Sequence, residues 1–188
     1  MTDGDEITAW ALAAGRGDQD AAARFIRATQ QQVRRFLAAL ISPGEADDLA
    51  QETYLRAMRS LPSFAARSSA QTWLLGIARR VAVDHVRAAT ARPRTVPLSQ
   101  WHDAPDAQGG TFDGEIVLTE LLRTLAPDRR EAFVATQILG LPYAEAAEVC
   151  ACPIGTIRSR VVRAREDLVA AVNGGDLSTR RKRGGTAT

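Results

Sequence analysis

Lysine is almost missing from this chain: of its 24 basic residues, only Lys182 is lysine and the rest are arginine. Histidine and cysteine are equally scarce, with two of each, and aromatic residues make up 5%. Cys150 and Cys152 are too few for a disulfide framework and too close together for an ordinary structural bridge. They also lack further ligands for tetrahedral zinc, because the histidines are far off in sequence, so no metal site is expected. His85 has no second His, Cys or carboxylate cluster beside it and reads as a structural hydrogen-bonding residue. No Gly-rich phosphate loop, catalytic carboxylate pair or nucleophile elbow occurs, so neither an enzyme nor a cofactor is expected. No apolar run reaches membrane-span length and the N-terminus lacks a signal-peptide pattern. The expectation is a soluble cytoplasmic protein without membrane insertion.

Ala, Leu and Arg are plentiful, and few aromatics accompany them, which favours helix. The 188 residues allow one domain or two small ones. The net charge of +2 hides an asymmetry: residues 61–100 carry six Arg against Asp84, whereas residues 101–131 carry seven acids against three Arg. Local patches of this kind, rather than the total, are what a polyanion senses.

Helical periodicity runs through residues 5–15 and 18–41, where Phe25, Ile26, Val33, Phe36, Leu37 and Leu40 can share a buried face. Ser42-Pro43-Gly44 interrupts it. The next helix, 45–61, has an apolar face of Ala50, Tyr54, Ala57, Met58 and Leu61. Its opposite face carries Asp48, Gln51, Glu52 and Arg59, yet also Leu55 and, at one edge, Leu49. A leucine in an acidic, glutamine-bearing patch suits a surface that meets a partner helix, although most polar helix faces meet only water.

Residues 64–87 follow, FAARSSAQTWLLGIARRVAVDHVR, where Ser68 or Ser69 can cap the helix and a capping box is possible from Ser68 to Gln71. Trp73, Leu74, Ile77, Ala78 and Val81 form one apolar arc, with Phe64 placed as a lid over that core; Trp73 could instead stack on an unpaired base, but its phase with Ile77 and Val81 favours the core. Gly76, Arg79, Arg80, Val83 and Arg87 form the other, a smooth ridge flanked by arginines that suits phosphate contacts. Its plainer reading is a solvated basic face. Residues 89–113, rich in Pro and Gly and without a sustained period, read as a flexible linker containing an isolated Trp101. Helices resume at Gly114, with Asp128 a candidate cap, and a Gly-rich basic tail, 174–188, is expected to be disordered.

The stretch LPYAEAAEVCACPIGTIRSRVVRAR, 141–165, reads as two helices joined by a tight turn, the second opening at Pro153. Ile154, Ile157, Val161, Ala164 and Leu168 fall on its inward side. Thr156, Ser159, Val162, Arg163 and Glu166 fall outward, with Arg158 and Arg165 on one flank and Arg160 on the other. An apolar back, an arginine-bearing front and a short partner helix make the arrangement that a helix-turn-helix lays in the major groove.

Three stretches in this order, DDLAQETYLRA (47–57), residues 64–87 and GLPYAEAAEVCACPIGTIRSRVVRAR (140–165), resemble the extracytoplasmic-function (group 4) sigma factors of the sigma-70 family. The combination of ARSSAQTWLL and CACPIGTIRSRV is most similar to the mycobacterial sigma-C type. The resemblance implies an all-α fold of two small helical domains: residues 1–88 as region 2, a linker at 89–113, and residues 114–173 as a region 4 helix-turn-helix. It implies a promoter-specificity subunit that binds core RNA polymerase, through the β′ clamp helices and the β subunit, and then promoter DNA. Asp48, Leu49, Gln51, Glu52 and Leu55 would meet the polymerase. Ser68, Ser69, Gln71, Thr72, Arg79, Arg80, Val83 and Arg87 would read and help open the −10 element. At the −35 element, Arg158, Val162 and Arg163 would lie nearest base edges, with Thr156, Ser159 and Arg165 on phosphates. Arg160 would pair with an acid of its own domain.

Two positions depart from the family pattern. Ala151 stands where the turn usually has Gly, and Pro142 stands where Ser commonly caps the first helix. The free chain is expected to be a monomer, with an anti-sigma factor as a further possible partner. An autonomous helix-turn-helix regulator, dimeric on a palindromic operator, is the alternative. It explains the C-terminal half and leaves the acidic 47–57 face and the 64–87 ridge without a task.

Overall fold

The computed structural model describes residues 3–91 and 113–183, with side chains described at 4–91 and 118–173. All regular elements among the described residues are helices. Helices α1 (Asp3–Gly15), α2 (Gln19–Leu40), α3 (Ala46–Ser60) and α4 (Ala70–Ala91) build the N-terminal half. Helices α5 (Asp113–Arg123), α6 (Pro127–Phe133), α7 (Tyr143–Val149) and α8 (Ile154–Arg183) build the C-terminal half. The linker expected at 89–113, with Trp101, lies almost wholly outside the described residues; α4 runs three residues into it, to Ala91.

Helix α2 is the spine of the first half. Asp18 caps it by accepting the Ala21 N–H at 2.9 Å. Its buried residues, Ala21, Phe25, Thr29, Val33, Phe36 and Leu37, recur at three- and four-residue spacing. Thr29 can sit among them because its hydroxyl donates to the Phe25 carbonyl at 2.7 Å and lies 2.8 Å from the Tyr54 hydroxyl on α3. Burial pushes the Tyr54 phenol up to about 12, although the hydrogen bond with Thr29 works the other way. At the end of α1, close approach requires a glycine: a Cβ on Gly15 would stand 2.6 Å from the Leu61 carbonyl oxygen.

Helix α3 sits rotated from the expected orientation. Ala46, Leu49, Thr53, Ala57 and Leu61 are its deepest positions, while Ala50, Tyr54 and Met58 are only half-buried. Thr53 satisfies its hydroxyl by donating to the Leu49 carbonyl at 2.8 Å. Of the two candidate caps of α4, Ser69 is the one used: its hydroxyl accepts the Thr72 N–H at 3.1 Å. Phe64 covers a half-buried Trp73, with ring centroids 4.8 Å apart and planes tilted by 39°. His85 Nε2 lies 2.8 Å from Glu45 Oε1 and ties α4 to the start of α3.

In the second half, α6 and α7 both pack against α8, whose Ile157, Val161 and Ala164 are buried. The turn between α7 and α8 is a Schellman motif: the Cys152 N–H reaches the Ala147 carbonyl at 3.1 Å and the Ala151 N–H reaches Glu148 at 3.2 Å. Ala151 occupies its left-handed position at φ 50°. Helix α8 begins at Ile154, not Pro153, whose carbonyl accepts the N–H groups of Thr156 and Ile157. Ile154, expected inward, is 41% exposed, whereas Ile157 on the next turn is fully buried. Asp128 does not cap α6; it stands 3.2 Å from Arg160 Nε instead. The α8 backbone continues to Arg183, into the segment expected to be disordered.

Candidate nucleic-acid interface

On α3, Asp48, Gln51 and Leu55 are exposed, with Leu55 48% accessible among charged neighbours. Glu52 is partly engaged, since Arg56 Nε contacts its carboxylate at 2.7 Å and Arg56 Nη1 reaches Asp84 on α4 at 2.7 Å. These carboxylates, Asp84 first, raise the Arg56 pKa. Leu49 is corrected: it belongs to the core, only 9% exposed, and the acidic face is left with Leu55 as its apolar feature.

The α4 ridge is divided. Arg80 and Arg87 are exposed, and Val83, Ser68 and Gln71 are half-buried. Ser69, Thr72 and Arg79 are covered by the C-terminal half. Thr72 is buried, and its hydroxyl and that of Ser69, the latter at 3.2 Å, both donate to Glu145 Oε2 on α7. Arg79 Nε pairs with the Glu131 carboxylate on α6. Burial raises the Glu131 pKa, opposed by the Arg79 hydrogen bond and charge. Arg130 crosses the same seam, donating to the Leu40 carbonyl at 3.2 Å and to the carbonyls of Arg123 and Leu125 that end α5. Glu131, Glu145 and Arg130 were not among the residues singled out by sequence. The acidic 101–131 stretch contains Glu131 but not Glu145, and nothing in it says which side chains would meet the basic 61–100 stretch.

Helix α8 presents the most open face. Arg158, Ser159, Val162, Arg163 and Arg165 are exposed, and Thr156 is half-buried. Ser159 donates to the Thr156 carbonyl at 2.9 Å, and Arg165 Nη2 donates to Gln137 Oε1 at 2.7 Å, which holds that guanidinium at the edge. Arg160 turns to Asp128, within its own half as expected. Cys150 is buried, and burial with the nearby Glu131 charge pushes its thiol up to about 12. Among the described residues no group of His, Cys and acidic side chains could hold a metal ion, and no helix is long and apolar enough to cross a membrane.

An acidic helix with an exposed leucine, an arginine ridge and a helix-turn-helix, in that order, are the parts of a two-module promoter-recognition protein. Residues 25–92 match the family Sigma-70 region 2, and residues 116–168 match Sigma-70, region 4. The chain is 49% identical over 181 residues to the ECF RNA polymerase sigma factor SigC of Mycobacterium tuberculosis, covering 94% of this chain and 97% of that one. It is 32% identical to the ECF RNA polymerase sigma-E factor of Haemophilus influenzae, covering 80% and 87%. Among solved structures it is similar to sigma factor RpoE of Bartonella quintana in complex with the anti-sigma factor NepR, at TM-score 0.66 and 29% identity, covering 80% and 96%. CnrH in complex with the cytosolic domain of CnrY shares the fold at TM-score 0.70 and 24% identity, covering 92% and 99%. The chain belongs to the extracytoplasmic-function sigma factors of the sigma-70 family.

Proposed function

We propose that this chain binds core RNA polymerase and directs it to promoters by reading a −10 element with α4 and a −35 element with α8. The observation that carries this is the coexistence, on one chain matching both sigma regions, of Leu55 exposed in an acidic α3 face and of a free arginine face on α8. Asp48, Gln51, Glu52 and Leu55 meet the polymerase: the carboxylates set orientation, and the leucine supplies buried apolar area. Arg158 and Arg163 reach base edges in the major groove beside Val162, while Thr156, Ser159 and Arg165 hold phosphates and fix register. On α4, Arg79, Arg80 and Arg87 follow the strand, with Ser68, Ser69, Gln71, Thr72 and Val83 beside the bases.

In the closed arrangement Glu145 and Glu131 occupy the hydrogen-bonding groups of Ser69, Thr72 and Arg79. Reading the −10 element therefore requires the two halves to part, with DNA phosphate replacing Glu131 at Arg79 and bases replacing Glu145 at Ser69 and Thr72. Sigma factors supply recognition without catalysis of their own; bond formation belongs to the polymerase. The Bartonella RpoE, seen in complex with its anti-sigma factor NepR, supports an anti-sigma factor as a further partner. An autonomous dimeric regulator would use α7 and α8 alone, and the region 2 match leaves that reading without support.

The test is transcription by core enzyme with and without this chain, on templates drawn from the source genome, with start sites mapped. Discrete starts that require the chain and share spaced −35 and −10 sequences are expected. Tight sequence-specific binding to duplex DNA without polymerase, or no chain-dependent start on any template, would refute it.

A further inference from the structure

The seam between the halves carries an open pocket of about 380 Å³, within the range of roughly 300–1,000 Å³ typical of small-molecule sites. Leu40 and Ile41 at the end of α2, Ala82, Val83 and Val86 on α4, and Pro127 on α6 form its apolar wall. Its charged lining is Arg79, Arg87 and Arg130 against Asp128 and Glu131. Both acids are already engaged, Glu131 by Arg79 and Asp128 by Arg160. Arg87 has no carboxylate partner among the described residues. Arg130 also lines it without a carboxylate partner among the described residues, and its terminal nitrogens donate to the Leu40, Arg123 and Leu125 carbonyls. Burial and then repulsion from Arg123 lower its pKa.

An apolar wall beside guanidinium groups that lack an anion is complementary to a molecule with an apolar body and a planar anionic head. We propose that the seam cavity binds a small amphipathic carboxylate, with its acyl body on the apolar wall and its head group on Arg87 and Arg130. The wall needs the acyl body, which an inorganic anion lacks, and the guanidinium groups need the charge, which an alcohol lacks. Because α2 and α4 belong to one half and α6 to the other, an occupant favours the closed arrangement by its preference for that state. Only that consequence for promoter reading rests on the function proposed above; binding itself does not.

Titration of the full-length protein with decanoate, below its micelle-forming concentration, tests this by calorimetry and thermal shift. Saturable one-to-one binding is expected, at least tenfold tighter than decanol or inorganic phosphate. Arg87→Gln should weaken it at least tenfold by removing the charge, and Val86→Trp should do so by filling the cavity mouth. The circular dichroism of both variants reports whether they remain folded. Equal binding of decanol, equal binding of inorganic phosphate, undiminished binding by both folded variants, or no binding of decanoate would each overturn the proposal. A chain that binds decanoate but starts no transcription would refute the sigma assignment and leave the cavity site standing.

Discussion

Ala151 is a single residue held where its side chain is a liability. It occupies the left-handed position of the turn between α7 and α8, at φ 50°, and the two Schellman hydrogen bonds keep it there. A Cβ in that region costs about 1 kcal/mol or more, and glycine gives back part of this through the freedom it gains in the unfolded chain. Ala151→Gly should therefore stabilise the protein by about 0.5–1 kcal/mol, raising the denaturation midpoint without changing the slope. An unchanged midpoint would mean that the turn carries no strain. The neighbouring cysteines offer a second measurement at this scale. Cys150 is buried, with its thiol pushed up to about 12, whereas Cys152 is half-exposed with its Sγ 3.5 Å from Arg160 Nη1. Since only the thiolate reacts, mildly alkaline alkylation followed by mass spectrometry should label Cys152 first. Cys150 should react only as the protein unfolds, and equal labelling rates would contradict the burial.

At the scale of elements, the faces of α3 and α8 can be tested against each other. Leu55→Asp places a carboxylate at the exposed apolar side chain proposed to meet the polymerase, so binding to core enzyme should fall at least tenfold while the helical circular dichroism is retained. Arg163→Ala should leave core binding intact, weaken binding of the holoenzyme to promoter by about 1–3 kcal/mol, and relax the preference at one −35 position. If both variants lose core binding, the division of labour between the helices is wrong. The back of α8 was legible because Ile157, Val161 and Ala164 repeat at helical spacing and pack from one side. The orientation of α3 was not. Counting apolar side chains passed over Thr53, and likewise Thr29 on α2, yet both lie in the core with their hydroxyls returned to the carbonyl four residues back. A threonine bonded in this way fills space much as a valine does. Counting it as apolar turns Leu49 inward and leaves Leu55 out.

At the scale of the molecule, neither the halves' mutual contact nor the covering of Ser69, Thr72 and Arg79 could be read from local pattern, because Glu131 and Glu145 come from distant parts of the chain. Glu131 gives the seam a measurable pH dependence. It faces Arg79 from α4, Arg160 from α8, Asp128 on its own helix and Cys150 at the end of α7. Burial raises its pKa above the unfolded value, so the folded chain binds this proton more tightly than the unfolded chain does. The contribution to stability is then fully present below the ordinary carboxylate range and is lost as pH rises through the raised value. Glu131→Gln keeps a hydrogen-bonding side chain without a titratable charge. Plotted against pH from the acidic side, the parent's denaturation midpoint should fall relative to that of the variant. A rise instead would mean that the attraction to Arg79 outweighs burial. The same substitution loosens the hold on Arg79 by replacing a charge-assisted hydrogen bond with a neutral one, a change of about 1 kcal/mol. At neutral pH the free Glu131→Gln chain should therefore bind a −10 single strand several-fold more tightly than the parent. Equal binding would show that Arg79 is not the group whose release exposes the −10 reader.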